Sequence, residues 1–147
     1  MTVAHLIPAA PAPSLASAVG AIRAHGLRVS TIRRQILEEL FAQDEPVSAE
    51  ELAGRLPRGD LGSVYRNLER LEAIGLVRHV HLGHGPGLYA RRTRKEVEFV
   101  TCERCRSFEA VDPVRLDAAR ALIERELGYR PRFSHFPIVG VCAACAD

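Results

Sequence analysis

The chain has 147 residues, 47% hydrophobic and 26% charged, with 4 Cys, no Trp, and 20 cationic against 18 acidic side chains for a net charge of +2. This length fits one ordinary domain or two small ones, and the apolar fraction suffices for a packed core, which excludes a disordered tail protein or a histone-like polycation. No run approaches the roughly 18 apolar residues of a membrane-spanning helix, and four cysteines are few for a disulfide scaffold.

Residues 1–20 hold Pro8, Pro11 and Pro13 among many alanines, with no Lys or Arg ahead of Leu6 and Ile7. A secretory signal needs a basic start and an unbroken apolar stretch, so the segment reads as a flexible tail on a cytoplasmic protein, with one helical turn from Leu15. From Ile22 a helical period takes over. Ser30 is the expected N-cap of a helix whose Ile32, Ile36, Leu37, Leu40 and Phe41 share one apolar face, ending before Pro46. Ser48-Ala49-Glu50-Glu51 is a capping box that opens a second helix with Ala49, Leu52, Ala53 and Leu56 inward. After a turn at Gly59, Asp60 caps a third helix with Leu61, Val64, Leu68 and Leu71 as its buried stripe, and Gly75 ends it. The outward row of this helix is Ser63, Arg66, Asn67 and Arg70, with Tyr65 at its edge. Two helices joined by a short turn in this way predict a helix-turn-helix.

Past Gly75 the period changes to two. Residues 76–82 and 88–92, separated by Gly83-His84-Gly85-Pro86-Gly87, predict a hairpin, and helix-turn-helix plus hairpin make a winged helix over residues 21–92. Beyond a hinge, strands are expected at 97–101, 108–111 and 132–141 around one helix at 113–127, capped by Asp112, with Pro113 in its first turn and Gly128 at its end. Residues 93–147 are thus a second, small α+β domain, and the chain as a whole is α+β.

Cys102-Glu103-Arg104-Cys105 and Cys142-Ala143-Ala144-Cys145 are two C-x-x-C pairs with 36 residues between them. Each knuckle turns two thiolates toward one point, and two knuckles complete a tetrahedral sulfur shell that suits structural zinc and ties the last strand to the first. The alternatives are two redox dithiols, disulfides or an iron–sulfur cluster; a reducing cytoplasm disfavours the disulfides.

Charge by segment points to nucleic acid more than the total does. Arg23, Arg28, Arg33 and Arg34 lie in 22–34 with no acid, and seven arginines in 55–92 face Asp60, Glu69 and Glu72, while residues 38–51 hold six acids and no base. In a winged helix the third helix enters the major groove, where Arg pairs with guanine and Tyr meets a thymine methyl. Arg28, Ser63, Tyr65, Arg66, Asn67 and Arg70 are therefore the candidate DNA contacts, the alternative being solvated helix faces.

These residues resemble the ferric uptake regulator (Fur) family of bacterial metal-responsive repressors, which includes zinc uptake and peroxide regulators. The matching text is Gly26-Leu27-Arg28-Val29-Ser30, Pro46-Val47-Ser48-Ala49-Glu50-Glu51-Leu52, the run from Val64 to Leu71 with Gly75-Leu76-Val77, and the two cysteine pairs. The resemblance implies a homodimer joined through the second domain, with each winged helix on half of a palindromic operator in double-stranded DNA. By position it implies that Tyr65 and Arg66 reach bases, that Arg28 lies near the minor groove, and that Cys102, Cys105, Cys142 and Cys145 hold structural zinc.

The sequence departs from the family at the regulatory metal. Glu96-Val97-Glu98-Phe99 replaces the His-rich run before the first cysteine pair, so Val97 and Phe99 stand where ligands are usual, and Pro46 and Ala90 replace a His and a Glu found in some members. Glu96 and Glu98 project to one strand face. With Asp117 and His135, the resemblance implies an oxygen-rich second site for a divalent metal: zinc, iron or manganese. His79, His81 and His84 are a further candidate ligand set at the hinge or wing; the alternative is that Glu96 and Glu98 are solvated strand residues and the histidines are phosphate contacts or surface groups.

The expected function is a dimeric, cytoplasmic DNA-binding regulator, a metal-dependent repressor of metal-homeostasis genes. Its alternative is a zinc-stabilised family member with lost or altered metal sensing. There is no H-E-x-x-H, nucleophile–base pair or phosphate loop, and a saturated Cys₄ site leaves no position for substrate, so no catalytic residue and no enzyme is expected. A zinc-ribbon adaptor for protein partners is the third class; no membrane contact is expected.

Overall fold

The structure is a computed structural model and describes residues 12–81, 85–93, 97–133 and 136–146. It divides into two compact units, one drawn from residues 12–79 and 88–93 and the other from residues 80–81, 85–87, 97–133 and 136–146. The distal part of the hairpin thus groups with the second unit, where the sequence places all of it in the first.

In the first unit, helix α1 spans Leu15–Ala24, with the Ser14 side chain accepting from the Ser17 amide. Its Ala18 and Ile22, one turn apart, are fully buried, so ordered structure begins well inside the stretch expected to be a flexible tail. Alanine favours helix, and the i, i+4 pair gives that helix a face to pack on α2. Helix α2, Thr31–Ala42, is capped by Ser30 and buries Ile36, Leu37 and Leu40. The short strand β1, Val47–Ser48, leads directly into α3, Ala49–Arg55, through the expected capping box. In it the Glu51 amide donates to Ser48 Oγ and the Ser48 amide donates to Glu51 Oε2, both at 3.1 Å.

A Cβ at Gly59 would lie 2.4 Å from the Ala53 carbonyl oxygen, so only glycine allows the turn from α3 into α4 to be this tight. Helix α4, Leu61–Ala73, is capped by Asp60, which accepts from the Gly62 and Ser63 amides. Val64, Leu68 and Leu71 are fully buried as expected, but Leu61, in the first turn beyond the edge of the packed face, is 39% exposed. The helix ends in a Schellman turn, Gly75 N–H to Glu72 O at 2.9 Å and Leu76 N–H to Leu71 O at 3.0 Å, with Gly75 at φ +79°. Strands β2, Val77–Val80, and β3, Leu88–Arg91, follow. The sheet order is β1-β3-β2, with β1 antiparallel to β3 in the register Val47↔Tyr89. Leu82, Gly83 and His84 of the loop lie outside the described residues.

In the second unit, β4 (Glu98–Cys102) pairs antiparallel with β5 (Phe108–Val111) and parallel with β6 (Ile138–Gly140), in the order β5-β4-β6. Asp112 and Pro113 open a 3-10 turn, Pro113–Leu116, that runs into α5, Asp117–Leu127, ended by Gly128 at φ +73°. The last strand, expected over 132–141, runs over Ile138–Gly140, and Pro137 immediately before it has no N–H to give a ladder. This unit is thin: among the described residues its buried apolar side chains are Val80, Phe99, Cys102 and Val111, and α5 buries none.

Candidate metal centre and nucleic-acid interface

Strand register brings the cysteines together. Cys102 ends β4 and pairs in register with Gly140 of parallel β6, so Cys142, two residues further on, arrives beside it. The first knuckle closes through Arg106 N–H to Cys102 O and Cys102 N–H to Ser107 O, both 2.9 Å, with Arg106 at φ +60°. The second is a 3-10 turn, Ala143–Cys145, closed by Cys145 N–H to Cys142 O at 2.9 Å, and the Arg104 guanidinium donates to the Cys145 carbonyl.

The four ligand atoms lie within 4.8 Å of one another, and Cys105 Sγ is 3.9 Å from Cys142 Sγ. Four sulfurs at about 2.3 Å from a tetrahedral zinc stand about 3.8 Å apart, so the spacing fits the ion, whereas a disulfide needs about 2.05 Å. All four cysteines are free thiols. The Cys142 amide donates to Cys102 Sγ at 3.4 Å, and this amide, with that of Cys105, holds the Cys102 thiol down at about 6. The Cys142 thiol beside Cys145, with desolvation, pushes Cys145 up to about 12. The four sulfurs converge at the spacing of a tetrahedral sulfur shell, and this donor set fits zinc.

The predicted second site is described only in part. Glu96 and His135 lie outside the described residues. Of the other two, Glu98 is 5% exposed and bonded to Arg120, and Asp117 is bonded to the same guanidinium at 2.9 Å. His79 stacks on Tyr89 (4.6 Å, 2°), whereas His81 lies past the end of β2 and stacks on Phe136 (5.7 Å, 21°); His84 lies outside the described residues. Among the described residues, the cysteines are the one group of three or more His, Cys, Asp or Glu placed to hold a metal.

On α4, Arg66 and Arg70 are exposed and Ser63 is half-buried, as is Tyr65, whose hydroxyl donates to Glu50 Oε1 at 3.0 Å. Arg66 reaches back to the cap, 3.8 Å from Asp60, with both side chains 69% exposed. Arg28 is exposed in the loop before α2. Asn67 departs from its expected outward position. It is 8% exposed, donates to the Ser63 carbonyl at 2.8 Å, and accepts from Arg33 Nε at 3.0 Å. Arg33 is itself 6% exposed and also donates to the Arg28 carbonyl. Its pKa is lowered by burial and by the Arg70 cation. Sequence reasoning counted Arg33 only as surface charge, although it lies three, four and seven residues before the core positions Ile36, Leu37 and Leu40, on the same helix face. The acidic stretch also acts locally: Glu39 is 3.7 Å from Arg55, and Asp44 is 2.6 Å from Arg91, whose guanidinium lies 5.4 Å from the Phe41 ring centre.

A winged helix with exposed arginines and a half-buried Tyr65 on α4, and a small second unit whose four cysteines converge as a zinc site, define a DNA-binding regulator. The sequence model of the ferric uptake regulator family matches residues 24–135, and the chain belongs to that family, whose members are transcription regulators and not enzymes. The peroxide-responsive repressor PerR of Staphylococcus saprophyticus is 24% identical over 137 residues, covering 90% of this chain and 92% of the relative. The Helicobacter pylori ferric uptake regulator Fur superposes with a TM-score of 0.70 at 17% identity, covering 93% of this chain and 97% of that one. A zinc uptake regulator solved with zinc and DNA has a TM-score of 0.56 at 22% identity, covering 89% and 91%. No described helix is long and apolar enough to cross a membrane.

Proposed function

We infer that the chain is a cytoplasmic, sequence-specific repressor that binds a palindromic operator as a homodimer and controls metal-homeostasis genes. The observation that carries the reading is the outer face of α4, with Arg66 and Arg70 exposed and Ser63 and Tyr65 half-buried at its edge, and the exposed Arg28 on the loop before α2. The likeness to a regulator solved on DNA supports it. Arg66 is suited to a bidentate guanine contact, Tyr65 to a thymine methyl, and Arg28 to the backbone or minor groove. Arg66→Ala is expected to weaken operator binding by about 1–3 kcal/mol and relax specificity at one base pair, whereas Arg28→Ala weakens all sequences alike and flattens the salt dependence. Fluorescence anisotropy with operator and scrambled duplexes checks both; equal losses on the two duplexes for Arg66→Ala would refute the recognition role.

Dimerisation is supported by apolar surface on the second unit: Leu127 is 67% exposed, Tyr129 75%, Val139 52% and Val141 39%. Such surface on a unit with few buried side chains marks an association face, and β6 is an edge strand with unpaired backbone groups to offer. Val139→Asp is expected to shift the protein from dimer to monomer in sedimentation velocity and to remove cooperative operator binding. A variant that stays dimeric would move the interface elsewhere.

Metal dependence of repression is assigned to the cysteine centre. Zinc there supplies four strong bonds that close the second unit, and its loss releases the operator by unfolding the dimer face.

A further inference from the structure

We propose that the guanidinium of Arg120 is the resident cation of the Glu98–Asp117 carboxylate pair, so that this pair takes no divalent metal and, among the described residues, the second unit holds metal at its four cysteines.

Glu98 lies in β4 with its side chain 7% exposed, and a buried carboxylate requires a counter-cation. Arg120 supplies it from α5. One terminal nitrogen is bonded to Glu98 Oε2, and the other donates to Asp117 Oδ1 at 2.9 Å and to the Pro113 carbonyl at 2.8 Å. The Phe133 ring centre lies 5.5 Å from the guanidinium carbon and covers its face. Helix geometry sets part of this arrangement in advance, because Asp117 and Arg120 are an i, i+3 pair on one face. The strand supplies the second carboxylate and the 3-10 turn the carbonyl.

A bridging divalent ion would need oxygens of both carboxylates at about 2.0–2.6 Å, in the space that the guanidinium fills. Arg120 cannot give up its proton to relieve the repulsion, so an incoming cation would have to expel the side chain and strip its three oxygen partners. Carboxylates set two elements apart, which would otherwise depend on metal to meet, are held together here by a covalently attached cation. The consequence for regulation, which rests on the operator-binding function proposed above, is that manganese or ferrous iron does not change the affinity for DNA through this carboxylate pair.

The test is manganese titration of the zinc-loaded full chain, followed by the electron paramagnetic resonance signal of the free ion. Wild type and Glu98→Gln are expected to leave the same free-ion signal at every addition, with metal analysis giving one zinc per protomer. Uptake of one manganese per wild-type protomer that Glu98→Gln lacks would overturn the proposal. Thermal melting of Arg120→Met, Glu98→Gln and the double variant gives a second readout. The guanidinium bridge predicts that the double variant melts above Arg120→Met, since removing the carboxylate relieves the stranded charge; additive losses would overturn it. If Arg120→Met does not fold, the wild-type titration still decides. A chain that binds no operator would refute the regulatory function, while the manganese titration would still decide the site.

Discussion

Stripping zinc with a strong chelator, or replacing Cys142 by Ser, is expected to unfold the second unit and abolish operator binding. The physical reason is the size of its core. Val80, Phe99, Cys102 and Val111 are its buried apolar side chains among the described residues, α5 buries none, and β6 contributes three residues to the sheet. Units of about 50 residues are marginal on burial alone, whereas a structural zinc supplies on the order of 10 kcal/mol or more of coupled folding free energy. Cys142 follows β6 directly, so losing its bond releases the strand that pairs with Val100 to Cys102. Hydrogen exchange should show residues 98–102 and 138–140 losing protection together on chelation, while α2 and α4 of the first unit keep theirs. Unchanged protection in β4 after verified zinc removal would refute the structural role of the metal.

Asn67→Leu is expected to be the most damaging polar substitution in the first unit. It leaves the Arg33 guanidinium, 6% exposed, with the Arg28 carbonyl as its remaining named partner and the Arg70 cation nearby. Stranding a buried charge costs about 3 kcal/mol, more than the 1–3 kcal/mol of leaving a neutral amide unpaired, so Arg33→Met should be milder. The double variant, with apolar groups on both sides, should recover part of the loss. Urea denaturation of the three variants checks the order; strictly additive losses would mean that the two residues do not act as a pair. The pair also tethers α4 to α2 and, through the Arg28 carbonyl, to the loop that carries the Arg28 side chain. Operator affinity should therefore fall with stability even though neither Arg33 nor Asn67 faces outward.

The elements with strong local chemistry were legible in the sequence. The Ser48 capping box, the Asp60 cap, the Gly75 helix end and the apolar stripes of α2 and α4 stand where spacing puts them, because caps and periodicity act within a few residues. The two C-x-x-C pairs were legible for the same reason, since each knuckle is a local turn. Expectations failed where an element's extent depends on partners far along the chain. Helix α1 starts at Leu15 as expected but runs to Ala24, past a single turn, because Ala18 and Ile22 pack on α2, and β6 begins only after Pro137, which has no N–H for the ladder with β4.

The same division separates the two metal questions. Local spacing alone determined that four cysteines form a centre fit for zinc, and that α4 carries arginines and a tyrosine on its outer side. Only the tertiary structure decided which charged groups are engaged inside the protein, because a charge in sequence carries no record of its counter-charge. Glu98 and Asp117 read as ligands in the sequence, which gives Arg120 no role, whereas the fold lays α5 beside β4 and sets the Arg120 guanidinium between the two carboxylates. Asn67 read as a DNA contact until the packing of α2 against α4 turned it to Arg33. Burial makes such pairings specific: a desolvated charge accepts only a partner placed by the fold, and that placement is a property of three-dimensional neighbours rather than of residue order.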